Sequence, residues 1–248
     1  MNQPLFIYGD YADNATVTLA NSAANQTGAD VLQANEDTYV SPATTTLTIT
    51  VDMLAPVSCG VFALAGENLN GITVALLAST DNFAASNVTV SAAAAITGNT
   101  AAWRPFNAAS YRYWRLVVTE ATTATRVYHV ALSPLYLLPF MEDGADLDCF
   151  TATTNQVVSP QGHLLDIQLV KTERTLSLNW GQVDDNEYLL FWAWALACVY
   201  RPQGFFFIPD SAVSTCMFGY TDPKFKFSAP MKKGLRDISV IPFTSRFA

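Results

Sequence analysis

The residues that could act as a general base are two histidines. His129 lies in the β-prone run Arg126–Leu132, and His163 begins another run of that kind. A catalytic triad needs a base beside a nucleophile and a third group that orients the base. Neither histidine stands in such a motif, and the sequence has no Gly-x-Ser-x-Gly elbow, His-Glu-x-x-His helix or glycine-rich phosphate loop. We therefore predict a structural role for both histidines, no catalytic residue and no cofactor.

Two groups of acidic residues could also carry chemistry. Asp184 and Glu187 stand just before an apolar run, where their spacing matches a helix capping box better than an acid/base pair. A second group consists of Glu142, Asp143, Asp146 and Asp148. Calcium takes about six to eight oxygen ligands, and this spacing is not that of an EF-hand loop. We expect a solvated acidic hinge here and no metal site.

A third candidate is a group of aromatic residues. Flat rings can pack on the apolar faces of sugars, which makes a sugar-stacking platform one interpretation; aromatic residues of a β-sandwich more often belong to the core. The group consists of Trp103, Phe106, Tyr111, Tyr113 and Trp114. Trp103, Tyr111 and Trp114 are therefore candidates for either role, whereas Trp192 and Trp194 in the C-terminal part are candidates for a subunit interaction or for the core.

Charge is scarce and unevenly distributed. Only 14% of the residues are charged, half are hydrophobic, and the net charge is −8. No Lys or Arg precedes Arg104, whereas eight acidic residues do. A nucleic-acid-binding protein needs a basic surface for phosphates, so this pattern argues against that class. A surface poor in charge instead favours a protein that assembles with other subunits.

The elements that would position these residues are mostly strands. Short β-prone runs separated by turns fill the first part of the chain, and Thr46–Val51 alternates polar and apolar residues. We predict a mainly β protein with two β-sandwich domains, at 1–140 and 161–248, joined by a connector at 141–160. The second domain should contain one helix at about 186–200, apolar on all sides and therefore covered on several of them.

Nothing in the sequence predicts membrane insertion. The N-terminal residues lack the basic and apolar regions of a signal peptide. The longest apolar run, Tyr188–Tyr200, falls short of the roughly 20 residues that span a bilayer. Cys59, Cys149, Cys198 and Cys216 include no close pair, which indicates buried thiols in a protein made in a reducing cytoplasm.

Several segments resemble known families. Val57–Leu69, Val74–Asp81 and the aromatic run Tyr111–Val118 follow one another in an order that is similar to discoidin-like, galactose-binding-type jelly rolls. Arg174–Trp180, the acid-capped helix and Phe205–Asp210 then resemble the second β-domain of phage distal or minor tail proteins.

This resemblance implies a non-enzymatic structural subunit of a phage tail tip or baseplate. Such a subunit would form a ring or surround a hub, with further copies of itself, the tail tube or hub, and a host glycan as partners. Its place would be the virion, after synthesis in the host bacterial cytoplasm. The main alternative is a standalone carbohydrate-binding, lectin-like protein. A glycan-cleaving enzyme would need a cleft with paired carboxylates, and the sequence indicates none.

Overall fold

The computed structural model describes most of the chain. The described residues are 3–9, 15–32, 38–122, 124–139, 141, 146–158, 164–200, 204–212, 215–222, 224–232 and 235–245, with backbone alone for 146–158, 164–173, 232 and 239. Their strands are β1 (Leu5–Ile7), β2 (Thr16–Ala20), β3 (Thr46–Glu67), β4 (Thr73–Ser79), β5 (Val88–Ala95), β6 (Ala101–Thr119), β7 (Arg126–Ser133), β8 (Tyr136–Leu137), β9 (Asp146–Val158), β10 (Leu164–Val183), β11 (Phe205–Ile208), β12 (Met217–Thr221), β13 (Met231–Lys232) and β14 (Leu235–Ser245). Their helices are a 3-10 turn at Gly28–Val31 and α1 at Asp185–Cys198.

The prediction of a mainly β chain with one α-helix in its C-terminal part is confirmed. The chain divides into two compact units, one made of Met1–Leu138 with Gln203–Met217, the other of Pro139–Pro202 with Phe218–Ala248. Two details differ from the expected linear order of domain, connector and domain. Within the expected connector, β9 pairs antiparallel with β10. The late strand β11 pairs with β1, with Leu5 opposite Ile208. A sequence pattern identifies a strand but not its partner, which explains why neither pairing was predicted.

The first unit is built around two long, bent strands. Its sheet has the order β2-β3-β6-β4-β5, and β7 pairs with the second half of β3. The register between β3 and β6 shifts between Asp52 and Val57, so that four residues of β3 lie opposite the single residue Arg112. Bulges of this kind bend a strand and increase its twist. The two halves of β3 therefore contribute to two layers, which enclose one core.

Alternation along these strands fills that core. Leu47, Ile49 and Val51 of β3 face inward, as do Trp114 and Leu116 of β6. Phe62 and Leu64, from the second half of β3, belong to the same cluster. Burying a large apolar side chain contributes about 1.5–3 kcal/mol, so this cluster dominates the stability of the sandwich. The residues between the core positions necessarily face the other way.

The second unit combines a sheet with α1. Strand β14 pairs with β10, β12 and β13, and β10 also pairs with β9. The helix begins with the predicted capping box. The backbone N–H of Glu187 donates to Asp184 at 2.8 Å, and that of Asp184 donates to Glu187 at 3.0 Å. The buried ring of Phe191 packs against Trp180, with the ring centroids 4.9 Å apart.

Within one chain, α1 is covered on several sides, as expected, and is exposed along one face. Trp194 is fully buried. In contrast, Leu189 is 59% exposed, Trp192 37%, Leu196 47% and Tyr200 54%. These four residues recur at intervals of three and four positions, which places them along one side of the helix and its last turn. The sequence could not show this face, because apolar residues surround the helix evenly.

Candidate functional site

The residues first considered for catalysis do not form a site. His129 is buried, stacks on Phe206 with ring centroids 5.9 Å apart, and has its pKa lowered by burial to about 4. Asp184 and Glu187 cap α1, as predicted. His163 and the side chains of the acidic group at 142–148 lie outside the described residues. In the part of the chain that is described, no three His, Cys, Asp or Glu side chains come together as metal ligands.

The aromatic residues of β6 separate onto different sides of the strand. Trp114 is fully buried, and its Nε1–H donates to the carbonyl oxygen of Tyr111 at 3.0 Å. Phe106 and Tyr111 pack around it, with centroid distances of 5.8 and 5.9 Å. Trp103 is half-buried. The five rings therefore do not make one platform. Trp192 and Trp194 belong to α1, in the other unit.

Tyr113 lies on the face of β6 opposite to Trp114. Because neighbouring residues of a strand point to opposite sides, Tyr113 and Arg115 share the side away from the core. The register places Asp52 and Ser79 beside Tyr113, and Thr50 and Leu77 beside Arg115. We name this surface the arginine face; its members are Thr50, Asp52, Phe83, Arg112, Tyr113 and Arg115.

Arg112 and Asp52 form the first half of the arginine face. The guanidinium donates twice to the carboxylate, from Nε at 2.8 Å and from an η nitrogen at 2.9 Å. It also lies over the ring of Tyr113, 4.8 Å from the centroid. The hydrogen bond from Arg112 is the main reason that the pKa of Asp52 is lowered. Asp52 also accepts from the backbone N–H of Leu54 at 2.8 Å, inside the bulge of β3.

Arg115 and Phe83 form the second half. The Arg115 guanidinium carbon lies 3.7 Å from the centroid of the Phe83 ring, and its Nε–H donates to Thr50 Oγ1 at 3.0 Å. Burial lowers the pKa of Arg115. Among the described residues no carboxylate pairs with this guanidinium. The Arg115 guanidinium is therefore a fixed, partly desolvated cation whose η N–H groups remain available as donors.

The loop after β4 holds Phe83 in place. Asp81 accepts from Ser79 Oγ at 2.7 Å and from Ser86 Oγ at 2.8 Å, and these bonds lower the pKa of Asp81. Ser79 Oγ accepts the backbone N–H of Phe83 at 2.9 Å. Phe83 has a φ of 63°, in the left-handed region, and Asn82 before it has a φ of 55°. Such strain persists only where surrounding contacts enforce it, and it is frequent at binding sites.

Sequence reasoning did not select Asp52, Phe83, Arg112 or Arg115. One local signal could have found Arg115. Once Trp114 is assigned to the core, alternation in the strand places Tyr113 and Arg115 together on the opposite side. Asp52 and Phe83 have no comparable signal, because they reach the face through strand pairing and a loop. An apolar pocket in the same unit contains none of these residues; it is lined by Gly9, Ala15, Leu32, Val51, Met53, Val130 and Leu132.

Comparisons with known proteins concern the fold of about half of the chain. No family model and no curated protein matches the sequence. Solved structures similar to the chain include carbohydrate-binding modules. One is a module from Clostridium perfringens, CpGH89CBM32-5, in complex with GalNAc-β-1,3-galactose, at 12% identity and a TM-score of 0.44, covering 50% of this chain and 97% of that one. Another is the family 32 module of C. perfringens NanJ with galactose, at 8% identity and a TM-score of 0.43, covering 52% and 98%.

A third similar structure is chitosan-binding module 1 of a chitosanase/glucanase from Paenibacillus sp. IK-5. It is 17% identical, has a TM-score of 0.43, and the match covers 50% of this chain and 98% of that module. Similarities of this size do not assign a ligand to this chain. In the described residues no helix is long and apolar enough to cross a membrane.

Proposed function

We propose that this chain is a non-catalytic protein whose first unit binds carbohydrate on the arginine face. The observation that carries the proposal is that Tyr113, which lies under the Arg112 guanidinium and beside Asp52, shares its side of β6 with the fixed guanidinium of Arg115. A sugar offers apolar C–H faces and a ring of hydroxyl groups. Its recognition requires an apolar or aromatic surface together with a few fixed hydrogen-bonding groups.

Three members of the face have separate parts in this binding. Tyr113 supplies aromatic surface for the C–H groups of a sugar. The carboxylate of Asp52 keeps lone pairs that can accept from sugar hydroxyls, and Arg112 keeps N–H groups that can donate to them. Arg112 and Asp52 also hold one another in place, which reduces the entropy lost when a ligand binds. On the adjacent strand β2, the exposed Thr16 and Thr18 extend the polar surface beside Asp52 and Thr50.

The test is binding of the full chain to a panel of immobilised oligosaccharides. Replacement of Tyr113 by Ala should weaken binding by at least about tenfold, since a hot-spot aromatic contributes about 2 kcal/mol or more and about 1.4 kcal/mol is tenfold in affinity. Tyr39→Ala is the matched control. Tyr39 also has an arginine over its ring, Arg126 at 4.7 Å, but lies outside the arginine face. Equal losses in both variants, or no binding by the unmodified chain, would refute the proposal.

A second candidate function is favoured by a different observation. The exposed side of α1, formed by Leu189, Trp192, Leu196 and Tyr200, is an apolar stripe on a chain with few charges. Contiguous exposed apolar surface of this kind marks an interaction face. It supports assembly with further copies or with a tail tube or hub, as expected of a phage tail-tip subunit in the virion. The two functions are compatible, because the arginine face and the stripe belong to different units.

A further inference from the structure

The first unit contains only four cationic residues, and three of them have a carboxylate or several carbonyl oxygens as partners. Arg112 pairs with Asp52, and Arg126 pairs with Glu67 at 3.4 Å. The η nitrogens of Arg104 donate to the backbone carbonyls of Val74, Ala92 and Ala94, at 3.0–3.1 Å. Each of these arginines therefore has a structural explanation within the protein.

Arg115 differs from the other three. An arginine has five N–H donors, and the structure uses one of them, the Nε–H to Thr50. The four η N–H groups have no partner in the described part of the chain. The Phe83 ring covers one face of the guanidinium and leaves the edges, where these donors lie, free to bind. A planar guanidinium held in this way can donate two parallel hydrogen bonds to the two oxygens of one carboxylate.

The energetic state of Arg115 also favours an anion. Partial burial lowers its pKa, with no charged group acting in the opposite direction. A desolvated charge without a counterion is unfavourable, and a bound anion that accepted hydrogen bonds from it would remove part of that cost. A purely structural role for Arg115, stacking on Phe83 to hold the strained loop, is the alternative. That role would not explain why the η N–H groups have no partner in the described part of the chain.

We propose that Arg115 binds the carboxylate of an acidic sugar, so that the ligand of the arginine face is a glycan containing uronic acid or a similar carboxylated unit. This inference rests on the proposed carbohydrate-binding function. The placement fits one sugar unit. Tyr113 and Arg115 are two residues apart on one strand, which separates them by roughly 7 Å. A ring packed on Tyr113 would therefore reach Arg115 with an exocyclic carboxylate, while its hydroxyls face Asp52.

The experiment measures binding of the full chain to paired ligands. Each pair consists of an oligosaccharide containing uronic acid and the same oligosaccharide with its carboxylates reduced to alcohols. At least one acidic member should bind about ten- to a hundredfold more tightly than its neutral partner, as expected for a hydrogen bond to a charged group. This comparison uses the unmodified protein and does not depend on the folding of a variant.

Variants then locate the effect. In Arg115→Gln the preference for the acidic member should be lost, while Arg115→Lys, which keeps the charge but not the planar guanidinium, should retain part of it. Arg126→Gln removes one arginine elsewhere on the unit and should leave the preference unchanged. An equal loss in Arg126→Gln would mean general charge attraction and would overturn the inference. Binding of neutral and acidic members with equal affinity would overturn it too, but would leave carbohydrate binding intact. Absence of binding to every member would overturn both.

Discussion

Asp52 connects the arginine face to the backbone of β3. Its carboxylate accepts two hydrogen bonds from Arg112 and one from the backbone N–H of Leu54. Leu54 has a φ of 62°, in the left-handed region, and its side chain is exposed. The same carboxylate therefore orients a guanidinium and stabilises the turn that opens the bulge. The arginine face and the bend of the strand therefore depend on one residue.

The Asp52–Arg112 pair predicts a pH dependence. The pKa of Asp52 is lowered from its ordinary value of 3.8, mainly by the hydrogen bond from Arg112. A lowered pKa contributes stability that is present above the unfolded-state value and is lost as the pH falls through the folded-state value. Asp52→Asn should therefore reduce the free energy of unfolding near neutral pH by at most about 1 kcal/mol, because the pair is at the surface.

The measurement is urea unfolding of both proteins across a pH series. The difference between the unmodified chain and Asp52→Asn should be constant from about pH 7 to about pH 5 and should shrink below about pH 4. A difference that stays the same down to about pH 2, below the ordinary range of an aspartate, would show that the ion pair does not stabilise the fold.

At the level of elements, the sequence predicted the presence of strands and of the helix better than the residues at which they begin and end. The expected helix at 186–200 corresponds to Asp185–Cys198, and the capping box was found because it is a local pattern. The alternating run Thr46–Val51 is only the first part of a strand that continues to Glu67, and the aromatic run Tyr111–Val118 is part of a strand that begins at Ala101. The bulge around Leu54 interrupts the alternation, and pairing with β6 joins the two halves.

The candidate site could not be predicted from the sequence, because its residues meet only through strand pairing and the conformation of a loop. Asp52 and Arg112 are 60 positions apart and meet only through the register of β3 with β6. Phe83 reaches Arg115 because a pinned loop adopts backbone angles that few phenylalanines adopt. Neither the contact between Asp52 and Arg112 nor the backbone conformation of Phe83 gives a periodic pattern in the sequence. What the sequence does contain is the alternation of Tyr113, Trp114 and Arg115, which separates core from surface.

The two tryptophans of α1 offer a matched test of the helix packing. Trp194 is fully buried, whereas Trp192 is 37% exposed and has the rings of Tyr188 and Phe227 beside it, each with its centroid 6.2 Å away. Trp194→Ala should lower the free energy of unfolding by about 3–5 kcal/mol, the usual cost of a large cavity in a core. Trp192→Ala should cost about 1 kcal/mol, because partly exposed rings lose less packing. Thermal unfolding of both variants checks this, and equal costs would contradict the orientation of α1.

For the whole molecule, the pattern of charge and apolar surface predicts how it meets other molecules. All four cations of the first unit lie on β6 and β7, although that unit belongs to the acidic part of the sequence. The second unit carries the apolar stripe of α1. We propose that a closed assembly covers this stripe, because an assembly that does not close would form fibres.

The assembly prediction is tested through the stripe itself. Replacing both Leu189 and Leu196 by Glu should convert any oligomer of the purified chain to monomer, since charges in an apolar interface are strongly unfavourable. Mass measurement by light scattering or ultracentrifugation gives the result. Val240→Glu, at an exposed apolar residue outside the helix, is the control and should not change the mass. An unmodified chain that stays monomeric, alone and with tail proteins, would contradict the assembly role.

We expect a glycan to bind on the arginine face. The most direct measurement follows backbone amide signals by NMR while an oligosaccharide that binds is titrated into the labelled full chain. We expect the largest shifts at 112–115 of β6, at 50–52 of β3 and in the loop at 79–86. Saturating shifts that cluster elsewhere, while the signals of these three segments stay unchanged, would contradict glycan binding on the arginine face.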